Sequence, residues 1–332
     1  MKKKAMYYKK DKSGVECNLC PHQCKLDNNH MGFCGTRKAE DGELYSLNYG
    51  EVTSIALDPI EKKPLYHFKP GSKIISVGSF GCNFKCGFCQ NASISQNVAE
   101  SQFIPAETLV KLALEYKSEG NIGIAFTYNE PTVWFEYIYD TINIIKENEK
   151  YKDVDVILVS NGYINDDAFK LILPGISAVN IDLKAFSADF YRNICKGEME
   201  YVKNSIIEAS KHCHVEITNL IIEGYNDDEE EIEALSKWLS SINKDIPLHL
   251  SRYFPAYKFK VKSTSPEKML RAYDIASSYL NYVYIGNMGD VKSDTLCPVC
   301  KNVIIKRSGY NVESKLKDAK CPYCGAEINI VL

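Results

Sequence analysis

The sequence predicts an α/β protein, a partial (β/α)6 barrel with a small cysteine-rich segment before it and a zinc ribbon after it. Three observations carry that prediction. From Ile74 onward, short strand-like runs alternate with stretches of helical period, the pattern of parallel strand–helix units. The loop after the first run, SFGCNFKCGFCQN over 79–91, sets Cys82, Cys86 and Cys89 at C-x3-C-x2-C spacing. The chain's 13 cysteines also fall into three groups, at 17–34, 82–89 and 297–324, leaving only Cys195 and Cys213 outside. The expected division is a metal-binding segment with a hairpin at 1–70, the barrel at 71–290 and the ribbon at 291–332.

Taken in order, Cys17, Cys20, Cys24 and Cys34 surround tight turns, a spacing that suits either a closed structural zinc site or an auxiliary iron–sulfur cluster. His22 or His30 could replace one thiolate. Residues 44–68 read as a small hairpin broken by Gly50 and Pro59. Barrel strands are expected at 74–77, 122–127, 154–159, 178–183, 214–221 and 248–252, with a short final one at 281–285. Helices are expected at 105–119, 132–148, 166–173, 201–211 and 227–242, and a last one opens at Ser265 and Pro266. Leu109, Leu112, Ala113 and Tyr116 recur at helical spacing in the first. Ile232, Leu235 and Leu239 share a face of the fifth. In the tail, Cys297-x2-Cys300 and Cys321-x2-Cys324 are two knuckles that together supply four thiolates to one tetrahedral ion. A rubredoxin-like iron site is the alternative to zinc there.

Composition narrows the function classes. In 332 residues, 45% hydrophobic, there is room for one large core with appendages. A net charge of −3 gives no basic excess, so no nucleic-acid partner is expected. No run of about 18 apolar residues occurs and no signal-peptide core follows the first lysines, so a cytoplasmic protein without a membrane partner is expected. In that setting cysteines point to metals and not disulfides. Cys195 and Cys213 read as small buried hydrophobes.

The loop at 79–91 carries the chemistry. Three thiolates give a 4Fe–4S cluster three of its four protein ligands and leave one iron open. A zinc site completed by a distant histidine, or plain buried thiols, are the alternatives. Ligands in parallel α/β sheets collect beyond the strand C-termini. The residues standing there are Asn129 and Glu130, Ser160 and Asn161, Asp182 and Lys184, Thr218 and Asn219, and Arg252. Glu130 and Asn129 can accept from an ammonium group, and Arg252 can pair with a carboxylate or form a structural ion pair.

The stretches CNLCPHQC at 17–24, GCNFKCGFCQN at 81–91, AFTYNEPT at 125–132, SNGY at 160–163, DLKAF at 182–186 and RYFPAY at 252–257, with the tail knuckles, carry a family resemblance. The chain resembles radical S-adenosylmethionine (radical SAM) proteins of the branch grouped with pyruvate formate-lyase activating enzymes. It is most similar to the radical SAM member of the AmmeMemoRadiSam system. The resemblance implies that SAM chelates the open iron and that Phe88 lies against the adenine. It implies Glu130, with Asn129, at the SAM amino group, although the family's usual Gly-Gly before that glutamate is absent. Lys184 would meet the SAM carboxylate and Asp182 a monovalent cation. Ser160, Asn161, Thr218, Asn219 and Arg252 would complete the cofactor site.

The implied reaction needs a low-potential electron donor and anaerobic conditions. A reduced cluster cleaves SAM, and the resulting 5′-deoxyadenosyl radical abstracts hydrogen from an unidentified small-molecule or protein substrate. An activase that installs a glycyl radical is the alternative within the class, although such activases usually lack both outer cysteine groups. A non-catalytic metal-binding scaffold for RNA or protein is the alternative outside it.

Overall fold

The computed structural model describes residues 2–11 and 14–332. Its centre is an eight-stranded sheet whose strands lie side by side in chain order. They are β1 (Ser54–Pro59), β2 (Lys73–Gly78), β3 (Asn121–Phe126), β4 (Asp155–Ser160), β5 (Ala178–Asp182), β6 (His214–Ile221), β7 (Leu248–Arg252) and β8 (Val283–Gly286). The first pair is antiparallel. Every later pair is parallel. β1 and β8 are the two edges, so the barrel is partial, as the alternation predicts.

Helices cover one face: α1 (Ala106–Glu115), α2 (Phe135–Glu147), α3 (Asp166–Ile172), α4 (Met199–Ala209), α5 (Glu229–Asn243) and α6 (Pro266–Ser277). Helical period explains their docking, since Phe135, Ile138, Ile142 and Ile145 of α2 are buried together. Ser265 caps α6 by accepting from the Lys268 amide, with Pro266 at the first helical position. The parallel strands from β2 to β5 are mostly buried on both faces and so read as largely apolar runs. Alternate residues Ile75, Val77, Ile124, Phe126, Val156 and Leu158 face the helices in the main core. Ile74, Ala125, Ile157 and Ala178 face inward and meet Ile60, Leu65 and Phe68 of the segment between β1 and β2.

That segment is a plug. Residues 44–68 divide instead of forming one hairpin. Glu43–Ser46 pairs with Arg37–Glu40, Glu51–Val52 pairs with Gln102–Phe103, and β1 joins the main sheet. The remainder closes the floor of the barrel around Glu216. Its carboxylate accepts from the Tyr66 and His67 amides at 2.9 and 2.7 Å and from His214 and His249 at 2.9 and 2.6 Å. Burial opposes the Glu216 charge, but the two imidazoles outweigh it and hold the carboxyl well below its ordinary pKa.

The tail fastens the plug from below. Its strands Thr295–Leu296, Val303–Ser308 and Asn311–Ser314 form a small sheet. Arg307 donates to the Tyr66 carbonyl at 2.8 Å, and Val331 donates to the His67 carbonyl at 2.8 Å. No helix among the described residues is long and apolar enough to cross a membrane.

Candidate functional site

The upper rim collects the strand C-termini, and the loop after β2 lies across it. Asn129, following β3, holds that loop by three hydrogen bonds and makes a fourth to its own neighbour. Its Oδ1 accepts from the Ser79 amide at 2.9 Å, and its Nδ2 donates to the carbonyls of Phe80 and Gly81, both at 3.1 Å, and of Glu130 at 3.4 Å. Glu130 accepts from the Thr132 amide at 3.0 Å, from Ser160 Oγ at 2.7 Å and from the Asn161 amide at 2.7 Å. Burial pushes its carboxyl pKa up, against those donors. The sequence reading gave both residues to a ligand's ammonium group. In the structure they are turned inward, onto the loop and onto the end of β4, because backbone donors with no other partner converge on them.

Asn161 then reaches the loop itself. Its Nδ2 donates to Asn83 Oδ1 at 2.9 Å and lies 3.7 Å from Cys82 Sγ. Ser160 accepts from the Gly162 amide at 3.0 Å, which fixes the turn. Cys82 Sγ also accepts from the Phe84 amide at 3.3 Å, and Cys89 Sγ lies 3.1 Å from Ser95 Oγ. Burial pushes the Cys82 thiol well above its ordinary pKa. Cys86 is raised as well, first through a contact with the Cys195 thiol and then by burial. A thiol in such surroundings becomes a thiolate when a metal takes its proton's place.

Lys184 joins the same point from β5. Its Nζ lies 2.9 Å from Asp182 Oδ2 and 6.0 Å from the centre of the Phe88 ring. Burial opposes its charge, but Asp182 and the Cys86 sulfur outweigh it and hold its pKa well above the lysine range. Phe88 is itself covered by Phe190 and Phe259, at ring-centre distances of 5.9 and 5.7 Å. Phe259 sits there because its amide and that of Lys258 donate to the Gly87 carbonyl at 3.1 and 2.9 Å. Any side chain at Gly87 would strike the Phe259 ring.

Alternation separates the remaining candidates. Thr218 faces inward with Glu216 and donates to Asn180 Oδ1 at 2.9 Å. Asn219 and Arg252 fall on the helix-covered face, with Ile217 and Leu250. Asn219 donates to the Leu183 carbonyl at 2.7 Å, and Arg252 Nε to the Thr264 carbonyl at 2.6 Å. In the structure these two residues support the rim loops. Above the floor, Val159, Asp182 and Ser251 are half-buried on the inner face, leaving the top of the barrel accessible.

The cysteine groups differ in geometry. Among the described residues, Cys297, Cys300, Cys321 and Cys324 are the one set of three or more His, Cys, Asp or Glu side chains whose ligand atoms all lie within 4.8 Å. Their sulfurs approach to 3.6 Å (Cys297–Cys324) and 3.7 Å (Cys300–Cys321). A tetrahedral ion with metal–sulfur bonds of about 2.3 Å sets its ligand sulfurs about 3.8 Å apart, so the quartet fits a single ion. Cys82, Cys86 and Cys89 do not close to that spacing. In a polynuclear cluster each thiolate binds a different iron, so its ligand sulfurs need not meet that spacing.

The N-terminal thiols share one neighbourhood. Burial raises Cys17, Cys20 and Cys24, and each also feels the charge of Cys34. His22 Nε2 lies 2.7 Å from the Asn83 carbonyl, and its ring packs on Phe33 and Tyr163. Sequence reasoning missed Asn83, Cys195 and Phe259. Cys195 and Phe259 reach the site across the fold, and only Asn83, inside the cysteine loop, carried a local signal.

Residues 76–239 match the family described as the Radical SAM superfamily. The uncharacterized protein MJ0808 of Methanocaldococcus jannaschii is 38% identical, with 99% of this chain and 100% of that protein aligned. MJ1632 of the same archaeon, which bears the name of a glycyl-radical enzyme activating enzyme, is 27% identical over 63% of this chain and 79% of its own. A radical SAM methyltransferase from Sphaerobacter thermophilus superposes with a TM-score of 0.52 at 15% identity, covering 66% of this chain and 67% of that one.

Proposed function

The chain belongs to the radical SAM superfamily, and from that premise we propose that Cys82, Cys86 and Cys89 hold the 4Fe–4S cluster at which this enzyme cleaves SAM. One observation carries the residue assignment. Three thiols, Cys86 buried and Cys82 and Cys89 half-buried, are spread too widely for one ion and stand near the Lys184–Asp182 pair at the accessible end of the barrel. When bound and reduced, the cluster supplies the electron that converts SAM to methionine and a 5′-deoxyadenosyl radical, which takes hydrogen from the substrate.

The protein's own part is to bind, orient and exclude water. Lys184 offers the cation for the SAM carboxylate, held in place by Asp182, while a remaining Asp182 lone pair can serve a monovalent cation. Phe88, backed by Phe190 and Phe259, offers a flat apolar surface for the adenine. Asn129, Glu130, Ser160 and Asn161 act as positioning residues that hold the loop against the rim. The half-buried inner face near Val159, Asp182 and Ser251 receives the substrate. In the tail, Cys297, Cys300, Cys321 and Cys324 hold a structural zinc ion. The relative MJ1632 favours a second reading, in which the substrate is a protein that receives a glycyl radical.

The test is anaerobic reconstitution with iron, sulfide, SAM and dithionite, reading 5′-deoxyadenosine. Wild type should form it, and Cys82→Ala, Cys86→Ala and Cys89→Ala should fall to background. Undiminished deoxyadenosine from a chain lacking all three thiols would sink the assignment.

A further inference from the structure

The N-terminal thiols stand apart from both sites used above. Cys17 and Cys34 are buried, and Cys20 and Cys24 are half-buried. Backbone hydrogen bonds from Cys17 to the Cys24 carbonyl at 2.9 Å and from Gln23 to the Cys20 carbonyl at 3.1 Å fold three of them around one turn. Cys34 arrives on a second turn, closed by Gly35 donating to Gly32 at 2.9 Å. The two turns are not held by surface chance. Arg37, just beyond Cys34, makes a buried two-contact ion pair with Glu136 of α2 at 2.6 and 2.8 Å.

The geometry discriminates between a single ion and a cluster. The tail shows what a single-ion site looks like in this protein, with sulfur pairs at 3.6 and 3.7 Å. No three ligand atoms of the N-terminal group come within 4.8 Å of one another. A zinc ion with bonds of about 2.3 Å would have to draw the four sulfurs to about 3.8 Å from one another. A cluster takes them further apart, because its thiolates bind separate irons.

The quartet also abuts the reactive loop. The Cys82 amide donates to the Cys34 carbonyl at 3.2 Å, and His22 lies 2.7 Å from the Asn83 carbonyl. Gly81, at φ 88°, leaves no room for a side chain, since a Cβ there would lie 2.7 Å from the Cys34 carbonyl oxygen.

We propose that Cys17, Cys20, Cys24 and Cys34 bind a second iron–sulfur cluster, not a zinc ion, seated directly behind the loop that bears Cys82, Cys86 and Cys89. The experiment compares three full-length chains after anaerobic reconstitution: wild type, a loop variant with Cys82, Cys86 and Cys89 changed to Ala, and an N-terminal variant with Cys17→Ala and Cys20→Ala. Acid-labile sulfide, iron and zinc are counted per chain, and reduced samples are examined by electron paramagnetic resonance. Each variant should retain about half of the wild-type sulfide, with about one zinc in all three chains.

A loop variant without sulfide and with about two zinc ions overturns the proposal. So does an N-terminal variant with wild-type sulfide. Sulfide lost only with the loop thiols leaves the proposed function standing and sinks this inference; sulfide lost only with the N-terminal thiols does the reverse. Either variant decides alone if the other fails to fold.

Discussion

The tail and the rim of the barrel both gather cysteines, and they do so in opposite ways. In the tail, four sulfurs close on one another at the edge length of a single tetrahedral ion. At the rim, three sulfurs stay apart, and a half-buried lysine–aspartate pair stands near them. A closed shell of four thiolates has no room for a reactant, whereas a three-thiolate set leaves the metal one position to use. The surroundings follow the same division. The tail rests on a sealed floor around Glu216, while the rim opens above Val159 and Ser251.

The largest expected effect breaks the tail and spares the rim. Cys297→Ser should release the tail ion and with it on the order of 10 kcal/mol of local folding free energy. Limited proteolysis should then cut the segment after 291, while the loop's iron–sulfur absorbance persists. Loss of that absorbance together with the tail metal would mean that the two regions are one unit.

Next comes the floor between them. Glu216→Ala leaves two imidazoles and two amides without their acceptor, at a cost of about 3–5 kcal/mol. Urea denaturation should show that loss, and deoxyadenosine yield per folded chain should not change. A matching loss of yield would tie the floor to the chemistry.

Acid probes the same floor. His67 is buried and neutral. Its Nδ1 donates to the Asn329 carbonyl and its Nε2 accepts from the Tyr284 hydroxyl, both at 2.6 Å. Burial lowers its pKa from 6.5 to about 3. The unfolded chain therefore takes up a proton that the folded one refuses, so stability falls as pH drops from 6.5 toward 3. The loss should reach a few kcal/mol, and His67→Gln should flatten that part of the stability profile. Glu216 adds to the slope at lower pH. Its depressed pKa gives stability that is full above the ordinary carboxylate range and is lost as pH falls through the folded value.

The smallest expected effect belongs to the rim alone. Lys184→Ala should weaken SAM binding by about 1.5–3 kcal/mol, the worth of a charge-assisted contact, without altering iron content or tail stability. Equilibrium binding to the reconstituted variant measures it. Wild-type affinity would move the carboxylate contact elsewhere, and Arg252, on the outer face, is poorly placed to take it.

Most of this division was legible in the sequence, because cysteine spacing and strand–helix alternation are local signals. The expected barrel strands fall within a few residues of those observed, and the loop at 79–91 lies just beyond β2, as its position after an apolar run implied. Side-chain roles were less legible. Asn129 and Glu130 look like ligand acceptors in sequence, but which donors surround them depends on elements far apart in the chain. Asn219 and Arg252 needed one further fact, the face on which each strand's alternation starts. Cys195 gave no hint of its contact with Cys86, since it comes from a π-helical turn more than a hundred positions away. The plug at 60–68 reads as hairpin in the sequence because its partners, Glu216 on β6 and the tail, lie about 150 or more positions further along the chain.

The latch between Val331 and His67 also sets an order of events in the cell. Chains leave the ribosome amino end first, and domains fold as they emerge. The plug is made before the barrel it closes, and the residues that fasten it, Arg307 and Val331, are made after all eight strands. A chain ending before Arg307 would hold all eight strands and neither of these two fasteners. Vectorial synthesis makes the bottom of this protein the last part to lock.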